Sequence, residues 1–169
     1  MLASDSLNLE IITDYILKPQ SVMLEVRSKF RVKDGRGVEF NTGDFVSFGE
    51  MTKAFLPGYG IDEDSFGTND FSFMAAFAPD VSYGIIYGTP EATGKHMLAR
   101  SLLEEISILL AEENVRVRID EEAEYVRYFV VGDGSLDSIR REREKLFSIE
   151  NSTVSGKVIL PETAKPQNA

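Results

Sequence analysis

The stretch GTPEATGKH, which begins at residue 88, has residue types that can bind phosphate. An apolar run, YGIIY, precedes it and a helical pattern follows it. A strand, a glycine turn and a helix in that order form the phosphate loops of nucleotide-binding proteins. The candidate phosphate ligands are Gly88, Thr89, Gly94 and Lys95. However, a P-loop needs glycine where Thr89 stands and a hydroxyl residue where His96 stands, so the match is partial.

The same residues also fit the start of a helix. Thr89 suits the N-cap, Pro90 suits the first helical position, and Glu91 complements the helix dipole. An apolar stripe at helical spacing continues from Leu98 to Leu110. We therefore predict a long helix over 89–113. A nucleotide- or acyl-CoA-binding enzyme that uses the 88–96 turn remains an alternative, because a glycine-bearing turn before a helix can also hold the pyrophosphate of CoA.

A glycine- and acid-rich loop over 58–70 partly matches a calcium-binding loop. Asp62, Asp64 and Gly67 occupy its first, third and sixth positions, but phenylalanines occupy the fifth and twelfth, where an EF-hand needs oxygen ligands. We assign no metal site. A calcium-binding regulator that uses Asp62, Asp64 and Asp70 is a second alternative.

The same loop combines acidic residues with aromatic ones, which are enriched at protein interfaces. We predict it to be an interaction loop. Its members are Phe55, Tyr59, Asp62, Glu63, Asp64, Phe66 and Asp70.

The sequence offers no coherent catalytic set. It has no cysteine and a single histidine, so thiol nucleophiles, thiolate metal sites and multi-histidine metal sites are excluded. His96 alone has no recognisable nucleophile near it. We therefore assign no catalytic residue and no cofactor, and favour a non-enzymatic protein over an enzyme.

Composition narrows the class of partner. The chain has 169 residues, 43% of them hydrophobic, with a net charge of −10. A negative field repels phosphate backbones and anionic lipid, so nucleic acid and membranes are disfavoured partners. The chain has no signal-peptide pattern and no transmembrane-length apolar run, so we expect a cytoplasmic or other soluble compartment. We predict one domain over 1–160 and a C-terminal tail over 161–169.

The spacing of hydrophobic residues along the chain predicts its strands and helices. Alternation of apolar and charged residues from Val22 to Val32, followed by turns, predicts an antiparallel meander over 21–48. A second hairpin is predicted over 115–131, and a C-terminal helix, capped by Ser135, over 135–149. The segment 6–17 favours a helix, with a strand as the alternative. The predicted fold is α+β: a mainly antiparallel sheet packed against the long helix and the shorter C-terminal helix.

These features together predict a non-enzymatic protein–protein interaction or assembly subunit. We expect a protein partner or self-association, as a homo-oligomer or within a larger complex. The absence of a catalytic set and the acidic, aromatic loop support this prediction.

Overall fold

A computed structural model describes residues 8–33, 37–46, 53–57, 60–62, 69–90, 94–100 and 105–150 of the chain. Within these residues the chain forms eleven β-strands and one α-helix. The elements are β1 (Leu9–Leu17), β2 (Met23–Val32), β3 (Val38–Val46), β4 (Lys53–Leu56), β5 (Gly60–Asp62), β6 (Asn69–Phe71), β7 (Phe73–Ala78), β8 (Val81–Tyr87), β9 (Gly94–Arg100), β10 (Glu105–Val117), β11 (Glu122–Gly132) and α1 (Leu136–Phe147).

The strands form two sheets, and neighbouring strands in each are antiparallel. The large sheet has seven strands in the order β1-β2-β11-β8-β7-β4-β5, and the small sheet has four in the order β3-β10-β9-β6. The α+β prediction is therefore wrong in its helical part. The described residues form an almost entirely antiparallel β structure with one helix.

The predicted long helix over 89–113 is wrong, because strands β9 and β10 occupy most of it. They pair with each other from Lys95–Leu110 to Arg100–Glu105, and β10 also pairs with β3. Leucine, alanine and glutamate favour a helix here, but the apolar residues also alternate as Ile106, Ile108 and Leu110. Strand β10 pairs with a neighbour on each side, and this pairing favours the strand over the helix, since tertiary contacts override weak local propensity.

The meander over 21–48 and the hairpin over 115–131 correctly locate strands but wrongly pair them. Strand β2 lies between β1 and β11 in the large sheet, whereas β3 lies beside β10 in the small one. Likewise, β10 and β11 belong to different sheets. Alternation identifies a strand with one buried face but carries no information about its neighbour.

Within the segment 6–17, residues 9–17 form strand β1 rather than the favoured helix, so the strand alternative is correct for these residues. All nine residues of β1 pair with β2, from Leu9 opposite Val32 to Leu17 opposite Leu24. The pairing partner supplies the backbone hydrogen bonds that a helix would otherwise make within itself.

The C-terminal helix is confirmed. Ser135 is its N-cap, and the backbone N–H of Ser138 donates to Ser135 Oγ at 3.2 Å. Ser148 ends the helix in the left-handed conformation. Among the described residues, no helix has the length and apolar character that crossing a bilayer requires.

Two hydrophobic cores lie on opposite faces of the large sheet. The inner core lies between the sheets and includes Phe30 and Ile85 from the large sheet and Val117 from the small one. The outer core lies beneath α1, where Ile139 packs on Ile86 and Val130. The inner face of the large sheet is the one that contacts the inner core.

Two glycines allow α1 to approach the sheet closely. A Cβ on Gly84 would lie 2.3 Å from Ile139 Cγ2, and one on Gly132 would lie 2.1 Å from Ser138 Oγ. Neither distance is tolerated between non-bonded atoms. Both glycines are therefore packing positions beneath the helix.

Candidate functional site

The structure separates the members of the predicted interaction loop. Phe55 lies in β4 and packs on Phe73, with ring centroids 5.9 Å apart, so it belongs to the outer core. Asp62 lies in β5 of the large sheet and Asp70 in β6 of the small sheet. The remaining members lie outside the described residues: Tyr59, Glu63, Asp64 and Phe66. Among the described residues no group of three or more acidic or histidine side chains is placed to hold a metal ion.

The candidate phosphate ligands lie on a β-turn and strand rather than at a helix N-terminus. Gly88 directly follows β8, and a Cβ on it would lie 2.9 Å from the carbonyl oxygen of Val126, so close packing against β11 explains this glycine. Thr89 follows in the turn. Arg143 of α1 donates to the carbonyl oxygen of Pro90 at 3.1 Å. The phosphate hypothesis thus has no helix dipole here to attract an anion.

The other two candidate ligands begin strand β9. Gly94 lies opposite Phe71 and Lys95 opposite Asp70 in the pairing with β6. His96 lies opposite Asn69. The backbone of both residues therefore takes part in strand pairing rather than in an open phosphate-binding loop. Residues 91–93 lie outside the described part of the chain.

A polar cluster that sequence reasoning missed lies on the inner face of the large sheet. Its centre is Asp44 of β3, which accepts a hydrogen bond from Tyr125 Oη at 2.8 Å and one from Arg127 Nε at 3.1 Å. The side chains of Asp44 and Arg127 are only 14% and 11% exposed. The pair joins the two sheets, because Asp44 belongs to the small sheet and Arg127 to the large one.

The cluster extends across the large sheet towards β1. Arg127 Nη1 donates to Ser28 Oγ at 2.7 Å, and Ser28 Oγ lies 3.0 Å from Thr13 Oγ1. The Arg127 guanidinium also lies over the ring of Tyr125, 4.6 Å from its centroid. These contacts fix the orientation of Arg127 from several sides. The polar cluster consists of Thr13, Ser28, Asp44, Tyr125, Arg127 and Tyr87.

Tyr87 differs from the other members because its hydroxyl has no partner. The residue is 2% exposed, and its ring packs on Phe71 and Tyr125 at centroid distances of 5.4 and 6.4 Å. Its Oη is fully buried and makes no hydrogen bond with the residues that the structure describes. A buried unpaired hydroxyl costs about 1–3 kcal/mol, so such groups are rare unless a water or ligand completes them.

The environment keeps both tyrosines in their neutral form. Burial raises the pKa of Tyr87 well above its usual value, and the nearby Asp44 carboxylate raises it further. Burial likewise raises the pKa of Tyr125, with added contributions from Asp44 and from Tyr87. Both phenols therefore keep their protons at neutral pH and act as hydrogen-bond donors.

An open cavity of about 320 Å³ lies beside the polar cluster. Its lining is mainly apolar and includes Val46 of β3, Ile85 of β8, and Phe129 and Val131 of β11. Tyr83 lies at its rim and is partly exposed. The volume falls at the small end of the range typical of ligand pockets.

The cavity and the polar cluster share three strands. Val46 and Asp44 are two residues apart on β3, as are Ile85 and Tyr87 on β8. Phe129 and Arg127 have the same spacing on β11. Residues two apart share a face and lie about 7 Å apart along a strand. On each of these strands, the residue of the polar cluster therefore lies two positions from a residue that lines the cavity and points to the same side.

One sequence signal points towards this site. Arg127 interrupts the otherwise apolar run YVRYFVV, and its neighbours at two-residue spacing, Tyr125 and Phe129, face the core. A charged residue on a buried strand face requires a partner. The sequence does not identify that partner, since Asp44 is 83 positions away.

Comparisons with known proteins do not assign the chain to a family. No protein-family model matches it, and no curated protein matches it. Solved structures similar to it include the crystal structure of the Slr1438 protein from Synechocystis sp. PCC 6803, with a TM-score of 0.45 and 10% sequence identity. That match covers 75% of this chain and 55% of the other, so this chain spans about half the length of that protein. At this TM-score the likeness carries no argument about function.

Proposed function

We propose that the protein binds a small, mainly apolar molecule between its two sheets, through an uncharged hydrogen-bond acceptor such as a carbonyl group. The observation that carries this proposal is the buried hydroxyl of Tyr87, which has no partner among the described residues and belongs to a residue two positions along β8 from Ile85 of the apolar cavity. Binding sites of this kind combine an apolar wall with few convergent polar groups.

The charges of the polar cluster select the kind of head group. Arg127 and Asp44 already neutralise each other through their ion pair. A carboxylate on the ligand would meet the Asp44 carboxylate, and an ammonium group would meet the Arg127 guanidinium, so each charged head group faces a like charge. An uncharged acceptor avoids both like-charge contacts and still accepts a hydrogen bond from the Tyr87 hydroxyl. The predicted ligand class is therefore neutral and amphipathic.

The binding test uses three probes of equal chain length: 2-octanone, octanoate and octylamine, each titrated into the protein by ligand-observed NMR. We expect 2-octanone to bind most tightly. Tyr87→Phe should weaken 2-octanone binding about five- to tenfold, the loss of one hydrogen bond of roughly 1 kcal/mol. No binding of 2-octanone, or equal binding by Tyr87→Phe, would contradict the proposal.

A second arm of the test locates the binding site. Val131→Trp places an indole at the cavity, and we expect it to weaken 2-octanone binding at least tenfold. Ile119→Trp is the matched control, because Val131 and Ile119 are 50% and 49% exposed and only Val131 lines the cavity. Equal effects of the two substitutions would place the probe elsewhere and contradict the site.

The interaction or assembly function predicted from the sequence has a separate supporting observation. Strand β1 exposes large apolar side chains at the edge of the large sheet. Within the predicted 58–70 loop, residues 60–62 and 69–70 form strands of different sheets, so the prediction of one continuous loop is wrong there, and its role as an interaction surface stays a prediction. A partner for β1 is an independent proposal, since ligand binding between the sheets does not require it.

A further inference from the structure

Strand β1 lies at an edge of the large sheet, and none of the described residues pairs with its outer side. It is nine residues long, and its pairing with β2 is continuous from end to end. The opposite edge, β5, has only three residues. Natural sheets protect their edges with short strands, lysines, prolines or bulges, because free backbone groups otherwise pair with another chain. Residues 9–17, LEIITDYIL, contain none of these residues.

The backbone groups at the free edge can be identified. The N–H of Lys33 donates to the carbonyl oxygen of Asn8 at 2.9 Å, in register with the β1–β2 pairs. Antiparallel pairs alternate between bonded and non-bonded, so the even-numbered residues of β1 bond to β2. The odd-numbered residues therefore present their N–H and C=O groups outward. They are Leu9, Ile11, Thr13, Tyr15 and Leu17.

The side chains beside these free groups are apolar and exposed. Ile11, Tyr15 and Leu17 are 57%, 70% and 65% exposed on the inner face. Ile12 and Ile16 are each 40% exposed on the opposite face. An apolar surface on both faces of an edge strand is a docking surface for another strand.

We infer that the occupant of this edge is β1 of a second copy of the chain, paired antiparallel about a two-fold axis at Thr13. This register pairs Ile11 with Tyr15 twice, Leu9 with Leu17 twice, and Thr13 with itself. All five free-edge residues then form hydrogen-bonded pairs. Pairs of an aromatic and a β-branched side chain are among the most favourable across strands.

Charge selects this register over its neighbours. In the proposed register, Glu10 lies opposite Ile16 and Asp14 opposite Ile12, so no two acidic residues of β1 lie directly opposite each other. Moving the axis by one residue in either direction places Asp14 opposite Asp14 or Glu10 opposite Asp14, and directly opposed like charges are destabilising. Glu10 is also neutralised within its own copy, since Lys33 Nζ lies 2.9 Å from its carboxylate.

The two-fold axis closes the assembly as a dimer. The two large sheets join into one continuous sheet, and each β1 then has a partner on both sides. Each copy has one β1 edge, and the dimer occupies the β1 edges of both copies, so this contact cannot extend into a filament. This proposal is independent of the ligand site, which lies among β3, β8 and β11.

The first experiment measures mass by sedimentation velocity from about 1 to 100 µM. We expect the mass to rise from 18.9 kDa towards twice that value with concentration. Ile11→Lys places a charge at the edge and should weaken dimerisation at least tenfold. The matched control is Ile119→Lys, at a similarly exposed apolar residue outside β1, which should leave the dimer unchanged. A wild-type monomer at 100 µM would overturn the proposal.

The second experiment tests the register through a disulfide, since the chain has no cysteine of its own. In the proposed dimer the two copies of Thr13 have Cα atoms about 5.5 Å apart, within disulfide range. Thr13→Cys should therefore cross-link rapidly on mild oxidation. Tyr15→Cys, whose copies lie about 13 Å apart along the strands, should not. Equal cross-linking of the two variants would overturn the two-fold pairing at Thr13.

Discussion

Tyr87 and Tyr125 are neighbouring buried tyrosines that differ in whether the hydroxyl has a partner. Tyr125 donates to Asp44, and Tyr87 has no partner among the described residues. Both rings fill the inner core, so the hydrophobic contribution of each is similar. Phenylalanine in place of each residue therefore isolates the contribution of its hydroxyl.

We expect the two substitutions to change the free energy of unfolding in opposite directions. Tyr125→Phe should destabilise the protein by about 1.5–3 kcal/mol, because it removes a hydrogen bond to a carboxylate. Tyr87→Phe should stabilise the ligand-free protein by about 1 kcal/mol, because it removes a buried unpaired group. Urea unfolding of the two variants and the wild type measures both effects. Destabilisation by Tyr87→Phe would show that its hydroxyl is already satisfied within the chain.

The raised pKa values of the two tyrosines predict alkaline instability. In the unfolded chain a tyrosine loses its proton near pH 10, whereas burial and Asp44 keep Tyr87 and Tyr125 protonated in the folded chain. Their contribution is fully present below pH 10 and is lost as the pH rises further. The free energy of unfolding should fall by up to about 1.4 kcal/mol per pH unit for each tyrosine.

Urea unfolding between pH 9 and 11.5 measures this dependence. Tyr87→Phe should reduce the slope by the contribution of one tyrosine. Ile85→Val is the control, because it removes a buried methyl group and no ionisable group, so it should leave the slope unchanged. Identical slopes for wild type and Tyr87→Phe would show that Tyr87 is not held neutral by burial.

At the level of elements, the position of α1 depends on the lack of a side chain at Gly84. A methyl group there would overlap Ile139 Cγ2, and Ile139 is fully buried. We expect Gly84→Ala to destabilise the protein by about 1–3 kcal/mol through overpacking. Ile139→Ala alone should cost about 2–5 kcal/mol through the cavity that it leaves.

The double variant distinguishes overpacking from other effects. The methyl group of Gly84→Ala would occupy part of the cavity created by Ile139→Ala, so the combined loss should be smaller than the sum of the single losses by about 1 kcal/mol or more. Urea unfolding of the four proteins measures the coupling. Additive losses would show that the helix does not depend on this contact.

The charged outer face of the large sheet is balanced within the sheet. The bases Arg27, Lys29 and Arg31 of β2 form ion pairs with Glu25 of the same strand and with Glu122 and Glu124 of β11. The alternation of charge along β2 therefore indicates cross-strand pairing at a largely solvated face. Exposed pairs of this kind contribute little to stability.

At the level of the whole molecule, the ion pair of Asp44 and Arg127 joins the two sheets. Removing one partner leaves an uncompensated buried charge, so we expect Asp44→Leu to cost about 3–5 kcal/mol. Combining it with Arg127→Met should recover most of that loss, because apolar residues replace a buried ion pair without penalty in many proteins.

The same double variant separates stability from ligand selection. If the pair selects neutral head groups, the double variant should remain folded while it loses the preference for 2-octanone over octanoate and octylamine. Urea unfolding and the NMR titrations measure the two properties on one protein. A double variant that retains the preference would show that the pair serves stability alone.

The sequence by itself determined the features that depend on local periodicity. Alternation located β2 within the predicted meander and β11 within the predicted hairpin. Ser135 and the helical spacing after it located α1. Each of these signals arises within about a dozen residues, so it can be recognised without knowledge of the partner strands.

Only the tertiary structure decided which strands pair and which polar groups meet. The pattern of residues 89–113 favours a helix, whereas the pairing of β9 with β10 and of β10 with β3 makes the described residues 94–100 and 105–113 strands. Tyr125 and Arg127 meet Asp44 across more than 80 positions of sequence, and the free edge of β1 depends on its place in the sheet order. Contacts between distant segments leave no periodic signal in either segment. The ligand and dimer proposals therefore depend on structure: the sequence located strands of the ligand site, but it favoured a helix over β1, the strand that forms the proposed dimer contact.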